Sequence, residues 1–171
     1  MIARHFKVVR RRLDNLIYSL VVSVGVFYVF PYFFIMLQHQ WGIPVFKHDA
    51  LPVLDIIIAD VGLMLAIWCI AIMVVYKKGA LLSFEGSQNF MCKGPYRFVL
   101  HPMLLSMHII LFGEIVFLQS PFLLIWLVVW ARFSHLYVVH FKEPFLMGIY
   151  GKAYTDHWKK TARWLPGVWW L

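Results

Sequence analysis

Two polar segments carry most of the chemistry this chain can offer. The first is Gly94-Pro95-Tyr96-Arg97-Phe98-Val99-Leu100-His101-Pro102-Met103-Leu104. Pro102 suits the first turn of a helix, where its missing N–H costs nothing, so a helix is expected to start there. The free N–H groups at such a helix N-terminus favour an anionic group, for example a ligand carboxylate. The second segment begins Lys142-Glu143-Pro144-Phe145-Leu146. It continues through Tyr150-Gly151-Lys152-Ala153-Tyr154 to Arg163-Trp164-Leu165-Pro166.

The elements that position these residues are long apolar runs. The chain is 62% hydrophobic and 14% charged, against roughly 45–50% and about 25% for a soluble domain. A soluble domain of this size has no interior large enough to hide such runs. In lipid the backbone must satisfy its own hydrogen bonds, and runs without period-2 alternation mean helices rather than a barrel. The expected fold is therefore all-α, a multi-pass membrane bundle of about four helices.

The first span is expected at residues 16–37, bent by Pro31, and a short polar link carrying the interfacial Trp41 follows. A second span at 53–76 contains Asp55 and Asp60 and ends at Lys77 and Lys78. After a glycine-rich loop, the run from Pro102 breaks at Gln119-Ser120-Pro121, which reads as a C-terminal helical hairpin of 102–118 and 121–140. Residues 142–162 then read as a cytoplasmic amphipathic segment punctuated by Gly148 and Gly151, before an aromatic tail.

Net charge is +8, from 16 Lys and Arg against 8 Asp and Glu. The basic residues flank apolar runs, where they act as topology signals and contacts to anionic membrane lipid rather than to nucleic acid. Residues 4–12, Lys77, Lys78, Lys93, Arg97 and the lysines after 142 all fall on one side, which the positive-inside rule makes cytoplasmic, with both termini there. The basic N-terminus and first run read as a retained span, since no small-residue cleavage site follows. Cys69 and Cys92 offer neither a disulfide nor metal-ligand spacing.

Counting outward from Ser120 places His108 level with Arg132, and His101 level with Val139, within a turn of Glu143. A polar stripe should thus reach the cytoplasmic surface at His101 and Glu143. Asp55, Asp60, His108 and Glu114 are expected to satisfy one another between helices; the alternative, Asp60 in a proton or ion path, has only one acid pair in four spans behind it.

The ordered motifs from Gly94 to Pro166 resemble the isoprenylcysteine carboxyl methyltransferase and phospholipid methyltransferase superfamily, particularly its short bacterial members. That family's pattern is Gly-Pro-Tyr-Arg, two residues, Arg-His-Pro, one residue and Tyr, then a hairpin, then Glu-Glu and an aromatic C-terminal stretch. The resemblance implies an integral membrane enzyme of a bacterial inner membrane, with S-adenosylmethionine as cofactor and a small-molecule or lipophilic methyl acceptor arriving through the lipid. It implies cofactor contacts from Tyr96, His101, Pro102, Met103, Leu104 and Glu143, and from Gln88 and Met91 in the preceding loop. Arg97 and Arg132 are candidate acceptor contacts. Residues 1–171 would form one membrane domain, with 1–78 a two-span scaffold and 79–171 the cofactor-binding part. Three positions depart from the pattern: Leu100 replaces Arg, Leu104 replaces Tyr, and Lys142 replaces the first Glu. They motivate a second reading, a catalytically silent member acting as an accessory or lipid-binding protein. A third is an NADPH-dependent membrane reductase, since some sterol reductases carry a similar hairpin. No residue pattern specifies the acceptor's nucleophile or the oligomeric state.

Overall fold

The computed structural model describes residues 21–44, 51–76 and 92–165, and these are helical throughout apart from short connections. Among the described residues there is no strand, only an isolated parallel bridge between Val99 and Ala162. Among the described residues, three helices are long and apolar enough to cross a membrane: α1 (Val21–Gln40), α2 (Leu54–Val75 of a helix running Leu51–Tyr76) and α4 (Pro121–Tyr150). The fourth apolar helix, α3 (Pro102–Leu118), has 17 residues, about 26 Å of rise. A short helix, α5 (Lys152–Trp158), follows the break at Gly151.

Pro31 acts through its missing N–H. Just before it the helix widens into a π turn, Gly25–Val29, and the N–H of Phe30 reaches back five residues to the carbonyl of Gly25. The carbonyl of Val26 then has no helical donor, because its next candidate is Pro31. The indole of Trp126 on α4 supplies one, at 3.2 Å. Phe30 stacks on the same indole with ring centroids 4.4 Å apart, and Val26, Leu111, Trp126 and Trp130 form the buried core of α1, α3 and α4.

α2 and α3 pack side by side through small residues. A Cβ on Gly113 would lie 3.0 Å from the backbone nitrogen of Ala59, and one on Gly62 would lie 2.9 Å from that of Ile110. Lipid gives no hydrophobic drive for helix association, so close backbone approach is what holds such a pair. The opposite face of α2, with Ile56, Leu63, Met64 and Ile67, is exposed.

The hairpin begins and breaks where the sequence expects, but its second arm runs on past His140 to Tyr150. The reason is a second π turn, Val138–Lys142, in which the N–H of Glu143 bonds the carbonyl of Val138 just before Pro144. The widened turn absorbs the proline that would otherwise end the helix. Gly148 stays within the helix, and Gly151, at φ 53°, ends it. The depth count is also shifted: His108 meets Ser134 at 3.0 Å, while Arg132 is exposed. Asp55 and Asp60 do not satisfy each other. Asp55 is buried with its Oδ1 unbonded, and Asp60 is exposed. The N-terminal basic cluster, Lys77, Lys78 and the tail from Pro166 lie outside the described residues.

Candidate functional site

The buried face of α4 follows every fourth residue: Phe122, Trp126, Trp130, Ser134 and Val138. After Val138 the π turn adds one residue, and the next buried position is Glu143 rather than Lys142. A regular α-helix would have turned Lys142 inward. The extra residue therefore decides which side chain enters the protein, and the acid enters.

Glu143 is 3% exposed, and both of its oxygens are engaged. Oε1 accepts from Arg163 Nε at 2.7 Å, with His101 Nε2 at 3.4 Å. Oε2 accepts from Arg163 Nη2 and Trp158 Nε1, each at 3.1 Å. The guanidinium thus grips the carboxylate with two parallel bonds, the strongest geometry available to the pair. Because a carboxylate only accepts, His101 must carry its proton on Nε2, which leaves Nδ1 with a lone pair. Burial, aided by the charges of Lys142 and Arg163, holds the imidazole down to about 4, against the pull of Glu143. His101 is therefore neutral near pH 7.

A strap formed by α5 and residues 159–165 closes over this end of the hairpin. Its backbone pairs with the segment before α3 where Leu100 N–H donates to Ala162 O at 2.9 Å. His157 Nε2 donates to Tyr96 O at 3.0 Å, and its Nδ1 faces the Thr161 hydroxyl at 3.2 Å. Trp164 donates to His135 Nδ1 at 3.2 Å. Its ring also lies 5.5 Å from that of His108 and 6.1 Å from that of His101. The Gly94–Arg97 turn is seated on α2, since Gly94 adopts φ 56° and any Cβ there would run into Ile72.

Between strap, hairpin and turn lies a cavity of about 150 Å³. Tyr96, His101, Lys142, Tyr150, Tyr154 and His157 supply its polar lining; Met73, Leu100, Met103 and Leu146 supply the rest. No carboxylate lines it among the described residues. A larger space of about 440 Å³ lies at the other end of the bundle, around Gln38 and Ser120. Their polar groups bond each other and the carbonyl of Ile43, which gives that space a structural role.

Of the residues singled out in sequence, Tyr96, His101 and Met103 line the smaller cavity. Pro102 is buried at the start of α3. Leu104 points elsewhere in the helix, with its carbonyl accepting from His108 Nδ1 at 2.6 Å. Glu143 stands behind His101 rather than in the lining. Arg97 and Arg132 are exposed. Gln88 and Met91 lie outside the described residues. Sequence reasoning gave no site role to Tyr150, Tyr154, His157 or Arg163. Tyr154 and His157 are three residues apart on α5, a helical spacing that marks one face, while Tyr150 precedes the break at Gly151. Arg163 stands in the closing Arg163-Trp164-Leu165-Pro166 motif, but nothing in the sequence paired it with Glu143.

The phospholipid methyltransferase family model matches residues 54–153. No curated protein and no solved structure matches the chain. The matched stretch covers more than half of the 171 residues and runs from α2 through the Gly94 turn, the hairpin and Glu143. The chain belongs to the phospholipid methyltransferase family, whose members are membrane methyltransferases.

Proposed function

We propose that this membrane methyltransferase takes its methyl group from S-adenosylmethionine and passes it to a small or lipid-borne acceptor at the cytoplasmic face. The observation that carries the reading is the composition of the smaller cavity, whose volume of about 150 Å³ takes one end of the donor rather than the whole of it. Lys142 and the N-terminus of α3 at Met103 supply positive charge and backbone donors suited to the carboxylate of the donor. Tyr96, Tyr150 and Tyr154 supply aromatic faces suited to a sulfonium. When bound, S-adenosylmethionine supplies an electrophilic methyl group carried on a cationic sulfur.

The chain's own residues hold and orient. Neutral His101 adds a hydrogen-bonding wall without a second positive charge. Glu143 ties that wall to the strap, so that hairpin and strap keep one spacing. Positioning of this kind contributes roughly 7–11 kcal/mol to a bimolecular transfer. The arginines suit an acceptor with an anionic headgroup: Arg97 adjoins Tyr96, and Arg132 lies further along α4. The basic residues clustered at this end support a cytoplasmic placement, from which a water-soluble donor arrives. In this reading residues 1–78 serve as scaffold and 79–171 as the working part. Gln88 and Met91 rest on the family pattern alone.

A second reading, a silent member that binds lipid, is favoured by one observation. Glu143 spends both oxygens inside the chain, and Lys142 stands in the cavity where the family pattern has an acid. Methyl-labelled S-adenosylmethionine, incubated with the reconstituted protein and total membrane lipid, separates the two. Label entering the organic phase only with the protein supports transfer. Its absence, with lipid binding retained, favours the silent member.

A further inference from the structure

Arg163 lies ten residues beyond the end of the family match, in the strap, yet it makes the shortest contact to the buried acid. We propose that Arg163 is a positioning residue for the donor site: by closing on both oxygens of Glu143 it cancels part of that carboxylate's pull on His101, and so adds to burial in keeping the imidazole that faces the cavity uncharged. The inference rests on the S-adenosylmethionine reading for its purpose, though not for its electrostatics.

The geometry carries the argument. Arg163 Nε and Nη2 reach the two oxygens at 2.7 and 3.1 Å, while the imidazole stands further off at 3.4 Å. A buried imidazole beside a lone carboxylate draws a proton, since the ion pair is favoured over two neutral groups. A guanidinium on the same carboxylate cancels that pull. The charged groups bearing on His101 are Lys142 and Glu143 from α4 and Arg163 from the strap. Trp164 packs over the ring without charge. Remove Arg163, and Glu143 is left with His101 and the Trp158 N–H. Burial and Lys142 still hold His101 down, but with that pull uncancelled it takes up its proton at a higher pH, giving the cavity a second cation beside Lys142 as the solution is acidified. A sulfonium donor is repelled by that, whereas its demethylated product, which lacks the sulfonium, is not.

The test uses the full chain in lipid nanodiscs. The His101 ring is followed by NMR, and affinities for S-adenosylmethionine and S-adenosylhomocysteine are measured across pH, for wild type and Arg163→Gln. The wild-type ring is expected to titrate near about 4. In the variant it should move up, while burial and Lys142 keep it below the ordinary ~6.5. Variant affinity for S-adenosylmethionine therefore starts to fall at a higher pH than that of the wild type, while affinity for the product barely changes. Arg163→Lys, which keeps the charge, should restore the wild-type profile. Should Arg163→Gln not fold, Arg163→Met keeps the comparison, because its apolar stem packs where the arginine stem lay. An unchanged His101 titration in either charge-removing variant, with donor binding intact, overturns the proposal alone. A folded wild type that binds neither nucleoside overturns the donor reading instead.

Discussion

Gly62→Ala tests the seam that sets α2 against the hairpin. A Cβ at residue 62 would lie 2.7 Å from Ile110 Cγ1, 2.9 Å from Ile110 N and 3.1 Å from Ile109 Cγ2. The isoleucine tips can rotate, but the backbone nitrogen can yield only by moving α3. Ordinary contacts begin near 3.5 Å, so the helices must part by about half an ångström. A gap of that size forfeits a quarter or more of each van der Waals contact along the seam, and overpacking of this kind costs about 1–3 kcal/mol. Against it stands the better helix propensity of alanine, about 1 kcal/mol. The net expectation is a loss of up to about 2 kcal/mol, at most roughly 30-fold in the folding equilibrium. Gly113→Ala should be milder, because its nearest contact is 3.0 Å. Unfolding in mixed micelles of rising SDS content, followed by circular dichroism, gives both values. Stabilisation by Gly62→Ala would refute the reasoning, since it would mean that propensity outweighs the seam.

Other consequences follow from the clamp and the cavity. Glu143→Gln leaves the Arg163 guanidinium, whose side chain is 20% exposed, facing an amide; a loss of about 2–4 kcal/mol is expected in the same unfolding assay. His101 titrates near 6.5 when unfolded and at about 4 when folded. Between those values only the unfolded chain binds the proton, so stability is full above pH 6.5 and falls as pH drops toward about 4. The whole effect is at most about 3 kcal/mol, and His101→Asn should remove that share of the pH dependence in acid unfolding curves. Gly94→Ala forces an L-residue into φ 56° against Ile72. The left-handed backbone alone costs about 1–2 kcal/mol, and calorimetry should show weaker donor binding, because Tyr96 moves with the turn. Lys142→Ala should weaken binding of a carboxylate-bearing donor by about tenfold, read by the same calorimetry.

What the residues revealed in advance follows from how local each signal is. The bounds of α3 are written in adjacent residues, with Pro102 at one end and Gln119-Ser120-Pro121 at the other. The meeting of His101 with Glu143 was accessible to within a turn by counting depth from the hairpin's turn, although the contacts made are those of His108 with Ser134 and His101 with Glu143 rather than at the counted positions 132 and 139. The end of α4 was not, because Pro144 reads as a stop and a π turn that absorbs it has no composition of its own. For the same reason the sequence could not show that the π turn brings Glu143, and not Lys142, into line with Val138. The Arg163 grip depends on the chain reversing at Gly151 and pairing Ala162 with Leu100, a long-range event without periodicity.

The central claim is that the cavity framed by His101, Lys142 and Tyr154 receives S-adenosylmethionine. Titration calorimetry on the full chain in nanodiscs tests it directly. The expected result is saturable binding of the donor and of its demethylated product at one site per chain, with both lost in Tyr154→Ala, which removes a wall of the cavity. Absence of binding by either ligand to the folded wild type, or binding that survives Tyr154→Ala unchanged, would contradict it.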